Sequence, residues 1–404
     1  MNPLGLDVQT SWDAALAGRS GVGRIEAFDP VQTGLKVHIA GEVKGFDPRN
    51  YMDAKESRRM DRFSQLAVAA AEEAFTDSGL SLDDELALEA GAIIATGIGG
   101  MTTSVDQTLV EVKSGTRRVS PFLIPMIMPN AAAGLVSIRL GLRGPSYCVS
   151  TACASSTDAI GIAMDMIRSG RARIMVVGGT DSAIIPLCLA GFEQAHALCR
   201  TSNEEPERAS RPFDLNRSGF VLAEGAGVLV LEDAEFARAR GARVYAQVAG
   251  YGAAADAHHM TAPDPRGEGA TRAITGALAD AAATVEEVVY VNAHGTSTQL
   301  NDRTESLAME HVFGEYAARI PISSTKSMTG HMGGAAGAVE AVFCARVMNE
   351  GRIPPTINLD TPDPECRLDY VPWESRSVEP GVVLSNSFGF GGHNASLAFR
   401  PPAV

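Results

Sequence analysis

No apolar run in the 404-residue sequence reaches the roughly 18 to 20 residues needed to cross a bilayer, because glycine, serine or a charge interrupts every candidate. That excludes a membrane-spanning helix. Basic residues are also in deficit, with 34 lysines and arginines against 48 aspartates and glutamates and a formal charge of −14. Phosphate backbones need a basic surface, so non-specific nucleic-acid binding is excluded and any anionic partner must find a local basic patch. The six cysteines show no C-x-x-C spacing, which argues against a disulfide framework and structural zinc. Proline- or serine-rich linkers and low-complexity tracts are lacking as well. With 45% apolar and 20% charged residues, the chain is neither disordered nor fibrous but one large or two medium globular domains. Met1 to Thr10 has no basic flank and no continuous apolar core, so no secretory signal is expected and the default address is cytoplasmic.

What the sequence does have is an alternation of helical and strand-like segments. Arg62 to Ser78 repeats Phe63, Leu66, Ala67, Ala70 and Ala74 at helical spacing and meets Gly79 as a stop. Short apolar runs at Ala92–Ala95, Ile174–Val177, Val228–Leu231, Val288–Val291 and Val382–Leu384 are predicted as buried strands. Such alternation predicts a layered α/β fold with covered sheets. The charged segment from Glu232 ends at Gly241, which divides the chain into halves 1–241 and 242–404. Unusual chemistry follows a strand in each half, where sites of such sheets are found.

Cys153 stands where a strand-like stretch turns into a helix whose core face is Ile160, Met164 and Ile167. Unpaired N–H groups and the positive dipole end at that point favour a thiolate, and small neighbours (Ala152, Ala154, Ser155, Ser156) leave room for a substrate. A buried core cysteine is the competing reading of this segment, and the stronger one for Cys148, Cys188, Cys199, Cys344 and Cys366. His294 and His331 close strand- and loop-end segments, NAHGTST and SSTKSMTGH. Their spacing is not that of a metal site, so no metal is expected, and paired imidazoles suit donation to a developing oxyanion. Glu340 has only small or apolar helical neighbours in Ala336, Phe343 and Cys344. A buried carboxylate needs a cation, and Lys326 is the natural candidate. The glycines of NSFGFGG permit unusual backbone, with Phe388 and Phe390 as movable apolar gates. His259 reads as structural rather than catalytic.

Taken in order, STACASS, NAHGTST, SSTKSMTGH, GAAGAVE and NSFGFGG resemble the β-ketoacyl-[acyl-carrier-protein] synthases, most closely the elongating type II class, over nearly the whole chain. The resemblance implies a thiolase-like fold, two similar α/β halves in a five-layered α-β-α-β-α body, normally a homodimer. A heterodimer with a related subunit is the alternative assembly. It implies that Cys153 accepts the acyl group, that His294 and His331 complete a Cys-His-His triad, and that Lys326 and Glu340 form an active-site ion pair. It further implies an oxyanion hole from the backbone N–H groups of Cys153 and Phe390, with Phe390 as gate beside Phe388, and Thr296 and Thr298 on the pantetheine arm. Asp302 matches a structural acid. No cofactor is implied, since phosphopantetheine arrives on the acyl carrier protein, the implied partner. Carrier docking falls to Lys55, Arg58, Arg59, Arg117 and Arg118, with Arg62 in the same stretch expected to project beside Arg58.

Three departures from the family pattern stand out. Met1-Asn-Pro-Leu-Gly5 begins at a turn that a strand usually precedes, so either the start is misplaced or the first strand is missing, and the completeness of the first sheet stays open. Gln299-Leu-Asn replaces Pro-Leu-Gly, and His393 replaces a threonine. The second of these also occurs in specialised type II polyketide and polyene ketosynthases, which are the alternative reading. A chain-length-factor-like subunit without activity is disfavoured by Cys153, and a cysteine hydrolase by the two histidines and the buried Lys/Glu pair.

Overall fold

Two mixed β-sheets frame the computed structural model, which describes residues 1–402. The first sheet runs in the order Ser146–Tyr147, Ala90–Ala95, Ile174–Asp181, Gly225–Glu232; the first three strands are parallel and the last is antiparallel to its neighbour. The second runs Gln247–Ala255, His393–Arg400, Val382–Gly389, Val288–Asn292, Ile322–Ser323, with the last three parallel and His393–Arg400 antiparallel to both neighbours. Every strand of the first sheet precedes Gly241 and every strand of the second follows it.

Successive strand residues feed different cores. Ile93, Ala95, Met175 and Val177 belong to the core between the sheets, whereas Ala92, Ile94, Ile174 and Val176 belong to an outer core. In the second sheet Val383 faces inward and Val382 and Leu384 outward. A strand buried on both faces has no reason to alternate with polar residues, which is why these segments read as continuous apolar runs.

Five layers result. Helices Ser155–Arg168 and Ala336–Glu350 lie between the sheets, contributing Ile160, Ala163, Val339 and Phe343 to the shared core. Arg62–Ser78 and Ala131–Leu140 cover the first sheet through Phe63, Leu66, Ala132 and Val136. Glu268–Asp280 and Gln299–Phe313 cover the second through Ile274, Ala277, Met309 and Phe313. Arg62–Ser78 has its expected bounds: the Asp61 carboxylate accepts from the Phe63 N–H, and Gly79 ends the helix at φ 64°.

The first sheet has four strands against five in the second. Ala226 N–H donates to the Met1 carbonyl at 2.8 Å and the Met1 amino group donates back at 3.1 Å. Beyond that pair the outer edge of Gly225–Glu232 carries no strand among the described residues, and a groove of about 1470 Å³ follows it past Leu229, Leu231, Val248 and Phe343. No helix among the described residues is long and apolar enough to cross a membrane.

Both inner helices begin in the same way, with a 3-10 turn (Ala152–Ala154 and Gly333–Ala335) leading into the α-helix. Their first turns interlock, Ala338 N–H donating to Ser156 Oγ at 2.8 Å, and the Thr157 hydroxyl bonds that of Ser387 on the strand Val382–Gly389 at 2.7 Å. This corrects one expectation. Ala154, Ser155 and Ser156 are small because two helices and a strand meet there, all three being fully buried, and not to leave room for a substrate.

Candidate active site

The carboxyl ends of the parallel strands converge where the inner helices begin, the position at which open α/β sheets bind ligands. Asp181, the last residue of its strand, ties the ends together. Its buried carboxylate accepts from the Thr96 hydroxyl at 2.6 Å, from Gly97 and Ile98 N–H at 3.0 and 3.2 Å, and from Gly334 N–H. One acid thereby fixes the loop after Ala90–Ala95 to the turn before Ala336–Glu350.

Cys153 lies in the turn ahead of Ser155–Arg168, after Ala152, whose φ of 51° is in the left-handed region. An alanine persists there only when its surroundings hold it. The Cys153 Sγ is 2.9 Å from His331 Nε2, with the backbone N–H groups of Phe390 and Cys153 near enough to pull its pKa down. Phe390 comes this close because Gly389 precedes it: a Cβ at Gly389 would fall 2.9 Å from the Thr151 carbonyl oxygen and 3.0 Å from the Cys153 nitrogen. Glycine is therefore required at that crossing.

Here the structure modifies a second expectation. Burial pushes the Cys153 thiol up to about 11, against the opposing pull of the Lys326 charge and the two N–H groups. Burial therefore opposes the helix start, which by itself does not bring the thiol down. Cys148, Cys188 and Cys366 are pushed to about 11 as well, each chiefly by burial.

His294 and His331 meet edge to face, with ring centroids 5.4 Å apart, and Phe388 lies 5.8 Å from His294. Different elements hold them. The His294 and Gly295 N–H groups both donate to the buried Glu305 carboxylate at 2.8 Å, from the helix that follows. His331 pairs through its backbone with Val221 and Ala223, and the Phe220 ring meets its imidazole edge on at 5.4 Å. Burial, then the Lys326 charge, then His331 hold His294 well below the ordinary histidine range. Burial followed by Lys326 brings His331 down to about 3. Both imidazoles are therefore neutral at neutral pH, each able to donate one ring N–H.

Lys326 and Glu340 form a direct ion pair, each 1% exposed. Burial pushes the Glu340 carboxyl up, and the ammonium pulls it back. Thr296 and Thr298 share a hydrogen bond at 3.0 Å on the loop after His294. Asp302 faces away from this cluster: it accepts from Phe213 N–H at 2.9 Å and, with Asp363, flanks the fully buried Arg217 at 3.4 and 2.8 Å. His393 is exposed. His259 caps its own turn, Nδ1 accepting from Thr261 and Ala262 N–H.

Among the basic residues, Lys55, Arg58, Arg59, Arg117 and Arg118 are all exposed. The Arg59 guanidinium stacks over Phe122 at 4.4 Å, drawing the first segment against the second. Arg62 does not join them. The helix breaks after Ser57 and restarts at Arg62 under the Asp61 cap, and Arg62 instead makes a bidentate pair with the buried Glu224 at 2.6 and 2.8 Å.

Sequence reasoning missed Asp181 and Glu305, although a lone acid beside a strand end and another in the helix after NAHGTST were available signals.

Two measurements follow from these electrostatics. Neither His294 nor His331 takes up a proton between pH 8 and pH 5, whereas an ordinary imidazole with a pKa of about 6.5 does so midway; ring ¹⁵N shifts should stay those of neutral histidine, and a titration midpoint above pH 5 for either contradicts this. Lys326→Ala strands a buried carboxylate and should cost about 3–5 kcal/mol in urea unfolding, most of it recovered by the neutral pair Lys326→Met with Glu340→Gln.

Comparison with known proteins accounts for this arrangement. The family model "Beta-ketoacyl synthase, N-terminal domain" matches residues 1–237, and "Beta-ketoacyl synthase, C-terminal domain" matches residues 245–360. The 3-oxoacyl-[acyl-carrier-protein] synthase 2 of Synechocystis sp. is 48% identical over 400 residues, covering 99% of this chain and 95% of that protein. The Staphylococcus aureus enzyme of the same name is 46% identical, covering 99% and 96%. Among solved structures, a beta-ketoacyl synthase from Burkholderia phymatum superposes with a TM-score of 0.90 at 36% identity, over 99% of this chain and 97% of that one. The type II PKS complex AntDE:AntF, an acyl-carrier protein with its ketosynthase, gives 0.91 at 36%, over 99% and 96%. With its five layers, its thiol between two neutral histidines and its matched sequence in both halves, this chain belongs to the beta-ketoacyl synthases of the thiolase-like fold.

Proposed function

We propose that this protein is a 3-oxoacyl-[acyl-carrier-protein] synthase that performs decarboxylative condensation in fatty-acid elongation, with Cys153 as acyl acceptor and residues 1–241 and 242–404 as its two halves. One observation carries the reading: Cys153 Sγ stands 2.9 Å from His331 Nε2, whose ring meets that of His294 at a centroid distance of 5.4 Å.

In the first step Sγ attacks the thioester carbonyl of an acyl chain on carrier-protein phosphopantetheine. As the new Sγ–C bond forms the thiol proton passes to the departing pantetheine sulfur, and the N–H groups of Cys153 and Phe390 hold the carbonyl oxygen as it becomes negative. In the second step a malonyl thioester occupies the pantetheine channel, against the hydroxyls of Thr296 and Thr298, with Phe388 and Phe390 beside the malonyl pocket. Ring N–H groups of His294 and His331 hold its thioester oxygen while carbon dioxide leaves, and the resulting carbanion attacks the acyl-Cys153 thioester. The products are a 3-oxoacyl chain two carbons longer, carbon dioxide and free Cys153. Two neutral donors serve this better than two imidazolium ions, because the Lys326 ammonium already supplies positive field from behind its ion pair with Glu340. Each step is thiol, proton and carbanion chemistry, and the pantetheine belongs to the substrate.

The carrier protein is the proposed partner, meeting the basic cluster of Lys55, Arg58, Arg59, Arg117 and Arg118. A homodimer and a cytoplasmic address complete the reading, the latter supported by six cysteines that are all free thiols. A ketosynthase of a specialised type II polyketide pathway is the second reading, supported by Gln299-Leu-Asn and by the 36% identity to AntDE:AntF. The higher identity to the synthase 2 enzymes favours elongation.

Incubation with acyl- and malonyl-carrier proteins should give an acyl adduct on Cys153 and a product two carbons longer by mass. Cys153→Ala should abolish both, and an adduct surviving that substitution overturns the assignment. Charge reversal at Arg58, Arg59 and Arg117 should raise the KM for carrier-bound substrate several-fold and leave a short pantetheine thioester unaffected. The wild-type KM for the carrier should rise with salt as screening shortens; equal losses on both substrates would mean that these arginines support the fold.

A further inference from the structure

Asp158 is a buried carboxylate that none of these steps uses. It lies in the first turn of Ser155–Arg168 and is 7% exposed. Thr151 Oγ1 donates to its Oδ2, and Tyr251 OH donates to its Oδ1 at 2.7 Å. Thr151 directly precedes Ala152, the residue held at φ 51°, and stands two residues before Cys153. Its own N–H is fixed to Ser155 Oγ at 2.9 Å, so the Asp158 bond secures the one free side chain of the turn.

Tyr251 comes from the opposite direction, on the edge strand Gln247–Ala255 of the second sheet. Its ring lies flat against Gly161 of the inner helix, where a Cβ would come within 2.3 Å of a ring carbon. That contact explains a glycine inside a helix, a position where it is otherwise destabilising. The second sheet thus reaches past the inner helix to grip the acid that grips the turn. A left-handed alanine persists only where such contacts over-determine it, and a misplacement of about 1 Å at a reacting atom can cost two orders of magnitude in rate.

We propose that Asp158 is a positioning residue for Cys153, anchored by Tyr251, and that the pair holds the Thr151–Ala152 turn so that Sγ and the Cys153 N–H are aimed at the incoming acyl carbonyl. The proposal rests on Cys153 being the acyl acceptor. It concerns the steps at Cys153 and not malonyl decarboxylation, since His294 and His331 are held by Glu305 and by the Val221–Ala223 segment.

The test uses the full chain and measures two rates: single-turnover acyl transfer from acyl-carrier protein, with the adduct mapped by mass, and malonyl-carrier decarboxylation. Asp158→Ala should slow acyl transfer roughly tenfold to a hundredfold with decarboxylation unchanged. Tyr251→Phe keeps the ring on Gly161 and removes only the hydroxyl, so it should fold as wild type and still slow acyl transfer several-fold. Asp158→Asn, which can accept from only one of the two donors, should fall between wild type and Asp158→Ala. Equal loss in both half-reactions for Asp158→Ala and Tyr251→Phe would overturn the proposal in favour of a general structural role, and wild-type acyl transfer in Tyr251→Phe and Asp158→Asn would overturn it outright. A wild-type adduct on any residue other than Cys153 would remove the underlying assignment instead, which separates the two failures.

Discussion

The close approach of the two inner helices at their first turns is the constraint on which the rest of this structure depends. Each helix presents free N–H groups there, and the two are brought together by residues small enough to interlock, with Ser156 accepting from Ala338 N–H and Thr157 bonded to Ser387. Because each helix is also the continuation of a strand-end loop, joining them brings the carboxyl ends of both sheets to one place. The Cys153 thiol and the His294 and His331 imidazoles, far apart in sequence, meet there. Asp181 reinforces the join by binding N–H groups from both sides, a use of a carboxylate acceptor that burial makes expensive to break.

Burial also sets the electrical character of the site. It lowers both histidines, raises the thiol and raises Glu340, so each of these four groups is driven towards its neutral form. The Lys326 ammonium, paired directly with Glu340 and buried with it, is the charge that lowers both imidazoles, and in low-dielectric surroundings such a charge is weakly screened. A triad built this way needs no thiolate at rest. His331 Nε2 lies within hydrogen-bond reach of the sulfur.

The outer surface follows the opposite rule. An excess of 14 negative charges would repel an acidic partner at long range, and only a cluster of exposed cations can reverse that locally. Arg59 stacked on Phe122 gathers such a cluster from two separate segments. Arg62, one helical turn away in sequence, is consumed by Glu224 and contributes to the fold instead.

Much of this was legible in the residues themselves. Strands buried on both faces announce themselves as apolar runs, helix Arg62–Ser78 by its period and its glycine stop, and Cys153, His294, His331, Lys326 and Glu340 by the segments STACASS, NAHGTST, SSTKSMTGH and GAAGAVE in which they stand. What the sequence could not decide is which distant groups meet. Glu305 binding the His294 loop, Asp181 spanning 153 residues to Gly334, Tyr251 reaching Asp158 from the other sheet and Arg62 turning to Glu224 are pairings between positions with no periodic relation. The state of the thiol belongs with them. A helix start favours thiolate wherever it occurs, but desolvation depends on everything packed around the sulfur, and that is known only once the two halves have closed on each other.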